Sequence, residues 1–285
     1  MIKVWEAGHM PGMDRLKKLG QELTTQKETT ESLQVASDRQ KKMMPDPPEL
    51  PGIDMSVSYS PASEVSGDFY DFFVSKNDEL AMVIADVTGH GIEAAIIMGM
   101  AKATVNIYGR MYDSPAEVLR NANRDLAANF DGKTFVCLTL TIFDPKTKRL
   151  RVARAGADRP LLFNASWNPP EPKEIRGRGL ALGLDPGPRF NELLEEEEFM
   201  LQPGDLYLQF TDGIVEATNA DKEQFGEPRI REIIKKYPRA SAKELLFMLK
   251  ETLVDFTHTR DYDDDITMMA LKVREPQLSR KASFT

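Results

Sequence analysis

The sequence predicts an α+β domain: antiparallel sheets packed as a sandwich, with helices outside. Three observations carry this. Strand-like and helix-like segments come in blocks rather than in strict alternation, which argues against a doubly wound parallel sheet. Two alternating runs, Phe135 to Phe143 and Arg149 to Ala155, are joined by Asp144-Pro145-Lys146-Thr147-Lys148, which reads as a hairpin and so as antiparallel pairing. Two capping boxes, Ser114-Pro115-Ala116-Glu117 and Ser241-Ala242-Lys243-Glu244, open amphipathic helices late enough to flank such sheets.

The elements follow in chain order. Gly8-His9-Met10 resembles a tag remnant, so residues 1–12 are read as tag-derived or disordered and left out of the fold. Residues 13–44 hold no proline. Leu16, Leu19, Leu23, Gln26, Thr30, Leu33, Ser37, Gln40 and Met44 fall at alternating steps of three and four, a heptad seam that is apolar at its ends and polar in its middle. Such a helix needs a partner surface. It is read either as a surface or linker helix, or as a helix that pairs two chains or clamps the domain. Pro45, Pro47, Pro48 and Pro51 end it and mark the boundary of a domain spanning residues 45–273. Residues 274–285 are read as a disordered tail.

Inside the domain, Ile53, Met55, Val57 and Tyr59 alternate as a strand. Leu80 to Ala85 is a continuous apolar run that ends at Asp86, a buried strand delivering a carboxylate. Gly91 to Met111 is helical in character. Leu206 to Phe210 is a second apolar strand stopping just before Asp212, and Ile266 to Val273 is a last strand directly after Asp263-Asp264-Asp265. The run Glu195 to Glu198 is read as a solvated strand edge or loop.

Composition excludes several function classes. The chain has 285 residues, a net charge of −8, three histidines and one cysteine, Cys137. The charge turns away from a nucleic-acid partner. One cysteine allows no disulfide framework, and three histidines make a His-built metal site a poor reading. No run reaches the ~18 apolar residues a membrane span requires. The expectation is a cytoplasmic protein, with Cys137 a packing residue in its strand.

The chemistry is expected at the aspartates. Gly67-Asp68, Asp86-Val87-Thr88-Gly89, Asp212-Gly213 and Asp264-Asp265 each sit at the mouth of an apolar element. Clustered carboxylates repel unless a cation neutralises them. Oxygen donors without His or Cys support select Mg²⁺ or Mn²⁺. Four such motifs point to a two-metal hydrolytic site.

Ser66-Gly67-Asp68-Phe69-Tyr70-Asp71, then Ala85-Asp86-Val87-Thr88-Gly89-His90-Gly91, then Thr211-Asp212-Gly213-Ile214-Val215-Glu216-Ala217 and finally Asp264-Asp265-Ile266-Thr267 resemble, in order, the signatures of a known family. It is the metal-dependent type 2C serine/threonine protein phosphatases, in their bacterial SpoIIE/RsbU-like branch, and the resemblance covers residues 45–273. It implies an αββα four-layer sandwich. It implies two Mn²⁺ or Mg²⁺ ions bridged by Asp86, with Asp68, Asp212 and Asp264 completing the set and the Val87 carbonyl facing a metal. Asp265 stands beside Asp264 as the other candidate ligand; Asp264 matches the family's ligand position and is favoured. Catalysis would fall to Asp68, Asp86, Asp212 and Asp264, with a metal-activated water attacking the phosphoester and no phosphoenzyme. The substrate class implied is a phosphoserine or phosphothreonine on a STAS-type anti-sigma-factor antagonist, in stress or sigma-factor signalling. An upstream sensor or activator acting through the N-terminal helix, and a homodimer through residues 13–44, belong to the same expectation. Where relatives often carry Gly-His-Asn, this chain has Gly156-Ala157-Asp158 before Arg159. Asp158 and Arg159 are read as a local pair or as a substrate-recognition feature. Two alternatives stand at this point: a phosphatase-like binding module without turnover, and a small-molecule phosphohydrolase.

Overall fold

The computed structural model describes residue 27 and residues 29–275. Among the described residues ten strands form two five-stranded sheets, and every strand pairing is antiparallel. The first sheet has the order β1 (Ile53–Ser60), β10 (Ile266–Val273), β9 (Leu206–Phe210), β6 (Leu161–Phe163), β7 (Lys173–Glu174). The second has the order β2 (Phe69–Val74), β3 (Leu80–Val87), β4 (Val136–Phe143), β5 (Arg149–Ala155), β8 (Glu196–Met200).

Helices α2 (Ile92–Gly109) and α3 (Pro115–Ala127) cover the second sheet. α6 (Gly226–Lys236) and α7 (Ala242–Thr257) lie over the first, with short α4 (Pro188–Leu193) and α5 (Asp212–Glu216) between strands. The layers run helix, sheet, sheet, helix, which is the sandwich the sequence predicts. One apolar cluster fills the space around the second sheet and reaches across to Tyr207, Met269 and Leu271 of the first. Another joins the outer face of the first sheet to α6 and α7. β3 is an interior strand between β2 and β4, and Leu80 to Ala85 are all buried, which is why its sequence is unbroken apolar residues.

Both expected capping boxes open helices. Ser241 accepts from the Glu244 amide while Glu244 accepts from the Ser241 amide. Ser114 accepts from the Glu117 amide and its hydroxyl donates to Glu196, so this helix has the side-chain cap but not the reciprocal Glu117 bond of a full box. The acidic run is therefore an edge strand with structural duties: Glu197 also accepts from the Gly177 amide. β2 carries no alternating pattern of its own and becomes a strand by pairing with β3.

A helix over residues 29–42, α1, precedes the domain. The seam residues Ser37, Gln40 and Met44 are buried, and Met44 belongs to the main core. The C-terminal end of the seam thus faces the domain, while Leu33 is half-buried and Thr30 exposed. Leu16, Leu19, Leu23 and Gln26, and residues 1–12, lie outside the described residues, as do residues 276–285 of the expected tail. The Arg274 amide still bonds the Gly52 carbonyl at 2.9 Å. Among the described residues no helix is long and apolar enough to cross a membrane.

Candidate active site

The two sheets bring four chain segments to one end of the sandwich. Asp68 precedes β2 and Asp86 is near the end of its antiparallel neighbour β3. On the facing sheet Asp212 follows β9, and Asp264 and Asp265 precede its neighbour β10.

Asp68 is buried, and its Oδ2 accepts from Thr211 Oγ1 at 2.9 Å and Thr267 Oγ1 at 2.5 Å. Both threonines come from the other sheet, so this carboxylate ties the two layers together. Burial, and then the charge of Asp86, push its carboxyl well above the usual range. Asp86 is pushed up to about 7, by burial first and then by the charges of Asp212 and Asp264, while a hydrogen bond to Asp68 opposes the shift. Burial also raises Asp212, helped by the charge of Glu216. It raises Asp264 too, against a hydrogen bond from the Asp265 amide and the charge of His90. Asp212 and Asp264 thus both act on Asp86, and Asp212 acts on Asp264, at a place short of positive charge.

Asp265 is placed at the same wall but is differently employed. Its Oδ1 accepts from the Ala62 amide at 2.8 Å, and its Oδ2 accepts from Ser66 Oγ at 2.6 Å and the Gly67 amide at 3.0 Å. These bonds fix the loop that carries Asp68.

Two glycines permit the close approach. A Cβ on Gly213 would sit 2.0 Å from the Asp265 carbonyl oxygen, and one on Gly67 would sit 2.8 Å from that of Val87. Only glycine allows the Asp212 turn to lie against the Asp264-Asp265 strand, or the Asp68 loop to lie against the end of β3.

A cavity of about 50 Å³ is lined by Asp86, Cys137, Asp158 and Asp212, and an adjoining groove of about 400 Å³ by His90, Glu216, Tyr262 and Asp264. A larger groove of about 790 Å³ runs along β1 and holds none of these aspartates. Cys137 is more than a packing residue, since it faces the cavity. Burial and the charge of Asp86 push its thiol up to about 12, which keeps it protonated and inert. Asp158 is raised to about 6, by burial and then by the charge of Asp212, and its Oδ2 is buried without a partner. It does not pair with Arg159, whose Nη1 lies 2.9 Å from Glu174 Oε2.

Among the described residues no three His, Cys, Asp or Glu side chains close tightly enough to hold a metal ion as they stand. The chemistry of the donors nevertheless suits a hard divalent cation: mutually repelling carboxylates, with the one soft donor held as a thiol. Sequence reasoning missed Thr211, Thr267 and Gln40. Both threonines lay inside the quoted motifs, and Gln40 lay in the helix seam.

Residues 76–274 match the family model described as stage II sporulation protein E (SpoIIE). The chain belongs to the SpoIIE family. Asp86, Asp212 and Asp264 fall within the match, and Asp68 lies just before it. The chain is 24% identical over 248 residues to the phosphoserine phosphatase RsbU of Bacillus subtilis (strain 168), covering 87% of this chain and 71% of RsbU. It is 26% identical over 253 residues to protein IcfG of Synechocystis sp. (strain ATCC 27184 / PCC 6803 / Kazusa), covering 79% of this chain but only 38% of IcfG. Its fold is similar to the SiaA-PP2C domain of Pseudomonas aeruginosa, with a TM-score of 0.75 at 22% identity, covering 87% of this chain and 98% of that one. It is also similar to RsbX in complex with magnesium, with a TM-score of 0.58 at 18% identity, covering 79% and 98%.

Proposed function

We propose that this SpoIIE-family phosphatase removes phosphate from phosphoserine or phosphothreonine on a protein, with two divalent cations, Mn²⁺ or Mg²⁺, at the aspartate cluster. The observation that carries the reading is the convergence of Asp86, Asp212 and Asp264 from three chain segments, each raised by burial and with Asp86 raised further by the other two. Asp86 would be one of the residues that hold the ions. Asp212 and Asp264 would complete the set, Asp68 would stand behind Asp86, and the Val87 carbonyl would face the site. Asp264 fits this role better than Asp265, whose oxygens already accept three hydrogen bonds. When bound, such ions lower the pKa of water, hold the phosphoryl oxygens and stabilise the leaving oxygen.

The chain's own residues do the positioning. Thr211 and Thr267 fix the carboxylate of Asp68, on which the charge of Asp86 acts. Asp265 holds the Ser66-Gly67 turn in place. Hydrolysis forms a bond from water oxygen to phosphorus and breaks the phosphorus bond to the serine or threonine oxygen. Cys137, protonated and inert, supplies no competing nucleophile.

A phosphorylated STAS-type regulator of a sigma factor is the substrate class we propose. The likeness to RsbU supports it, as does the likeness to the RsbU and RsbW domains of a Mycobacterium tuberculosis protein (TM-score 0.67, 24% identity, 80% of this chain and 62% of that one). A cytoplasmic location, control by an upstream sensor or activator, and pairing of two chains through residues 13–44 go with this reading. The test is loss of phosphate from a panel of phosphorylated STAS proteins, followed by phosphate-affinity electrophoresis with Mn²⁺ and with chelator. Metal-dependent loss from one member is expected. Turnover of small phosphomonoesters with no protein of the panel touched would contradict the substrate class.

A further inference from the structure

Beside the acidic cluster the surface changes sign. Glu174 on β7 receives three guanidinium groups. Arg159 Nη1 lies 2.9 Å and Arg176 Nε 3.4 Å from its Oε2, and Arg231 Nη2 lies 3.0 Å from its Oε1. Arg231 is also held by Glu227 and by the Pro172 carbonyl, so its donors are occupied. Arg159 and Arg176 are not. Their side chains are 51% and 77% exposed, and among the described residues Glu174 is the one carboxylate each pairs with. A guanidinium has five N–H donors in a fixed fork, so most of theirs face water.

The pair is tied to the site through the chain, both guanidiniums meeting on Glu174. Arg159 directly follows Asp158, which lines the small cavity with Asp86 and Asp212. Arg154 ties this loop down, donating to the carbonyls of Ala157 and Gly177. Gly177 is the neighbour of Arg176, so both arginines stand on segments fastened together beside the aspartates. The exposed guanidiniums of Arg159 and Arg176 add little stability, since an ion pair with a solvated end contributes only about 0–1 kcal/mol. An arginine whose fork is already oriented loses less freedom on binding a carboxylate. A chain of net charge −8 would otherwise repel an acidic partner from this end.

We propose that Arg159 and Arg176 form a docking rim that reads acidic side chains flanking the phosphorylated serine or threonine of the protein substrate. This rests on the phosphatase reading above and adds a substrate preference to it.

The test uses the full chain with Mn²⁺ and two phosphoserine peptides that differ only in their flanks, one with Asp and Glu, one with Lys. The wild type should favour the acidic peptide about fivefold in kcat/KM, through KM, with the preference shrinking as salt is added. Arg159→Gln/Arg176→Gln should erase the preference. Arg159→Glu/Arg176→Glu should reverse it toward the lysine-flanked peptide, which a merely damaged fold would not do. Equal use of both peptides by the wild type, or an acidic preference that survives charge reversal, overturns the rim and leaves the phosphatase reading standing. No phosphate released from either peptide or from p-nitrophenyl phosphate overturns the phosphatase reading and the rim with it.

Discussion

The side chain of Gln40 and the peptide groups of Ser66 are joined by two hydrogen bonds. The Ser66 amide donates to Gln40 Oε1 at 3.0 Å, and Gln40 Nε2 donates to the Ser66 carbonyl at 2.6 Å. Both residues are buried. Ser66 is followed by Gly67 and Asp68, and its hydroxyl donates to Asp265. The helix before the domain therefore holds, through one residue, the turn that positions Asp68 against Asp86.

Gln40→Leu removes both bonds and leaves a buried N–H and carbonyl of Ser66 unpaired. We expect a loss of about 1–3 kcal/mol in urea unfolding, the cost of such orphaned groups. Gln40→Glu keeps the acceptor and loses the donor, so it should fall between. Wild-type stability in the leucine variant would mean that α1 rests on the domain without gripping it.

Gly213→Ala tests the close approach of the two loops on the first sheet. The new methyl would sit 2.0 Å from a backbone oxygen, that of Asp265, which no side-chain rotation relieves. Overpacking of this kind costs about 1–3 kcal/mol or more. The displaced turn carries Asp212, so activity should fall by more than the folded fraction does. A calorimetric midpoint and a rate measured on the same sample separate the two effects.

Stability without metal should depend on pH in a stated direction. Asp86 is pushed up to about 7 and Asp158 to about 6, so the folded state holds these protons more tightly than the unfolded chain does. Their contribution is full below the ordinary carboxylate range and is lost as pH rises through about 6 to 7. In chelator, the thermal midpoint should fall between about pH 5 and about pH 8. Asp86→Asn should flatten that slope. Mn²⁺ should restore the midpoint at the alkaline end, because a cation favours the ionised carboxylates. A midpoint in chelator that climbs across the same range would contradict the account.

Much of the fold was legible because its signals are local. β3 and β9 announce themselves as apolar runs that stop at a carboxylate, and α7 by a capping box followed by a helical period. β2 was not legible, since Phe69 to Val74 becomes a strand by pairing with β3. The aspartates of the site were readable one by one. Their division of labour was not, because it depends on contacts across about two hundred residues. Asp265 is engaged by Ala62, Ser66 and Gly67, and Asp68 by Thr211 and Thr267. Likewise Gln40 looked like a polar gap in a heptad seam until its partner, the Ser66 peptide, was known.

The central claim is that Asp86 and Asp212 belong to one metal-dependent phosphatase centre. The most direct measurement is phosphate release from p-nitrophenyl phosphate with Mn²⁺, with Mg²⁺ and with chelator, for the wild type, Asp86→Asn and Asp212→Asn. The account predicts turnover that requires metal and falls at least about a hundredfold in each variant, beyond the loss that a mere supporting residue would cause. Turnover that persists in chelator, or that survives both substitutions, would contradict it.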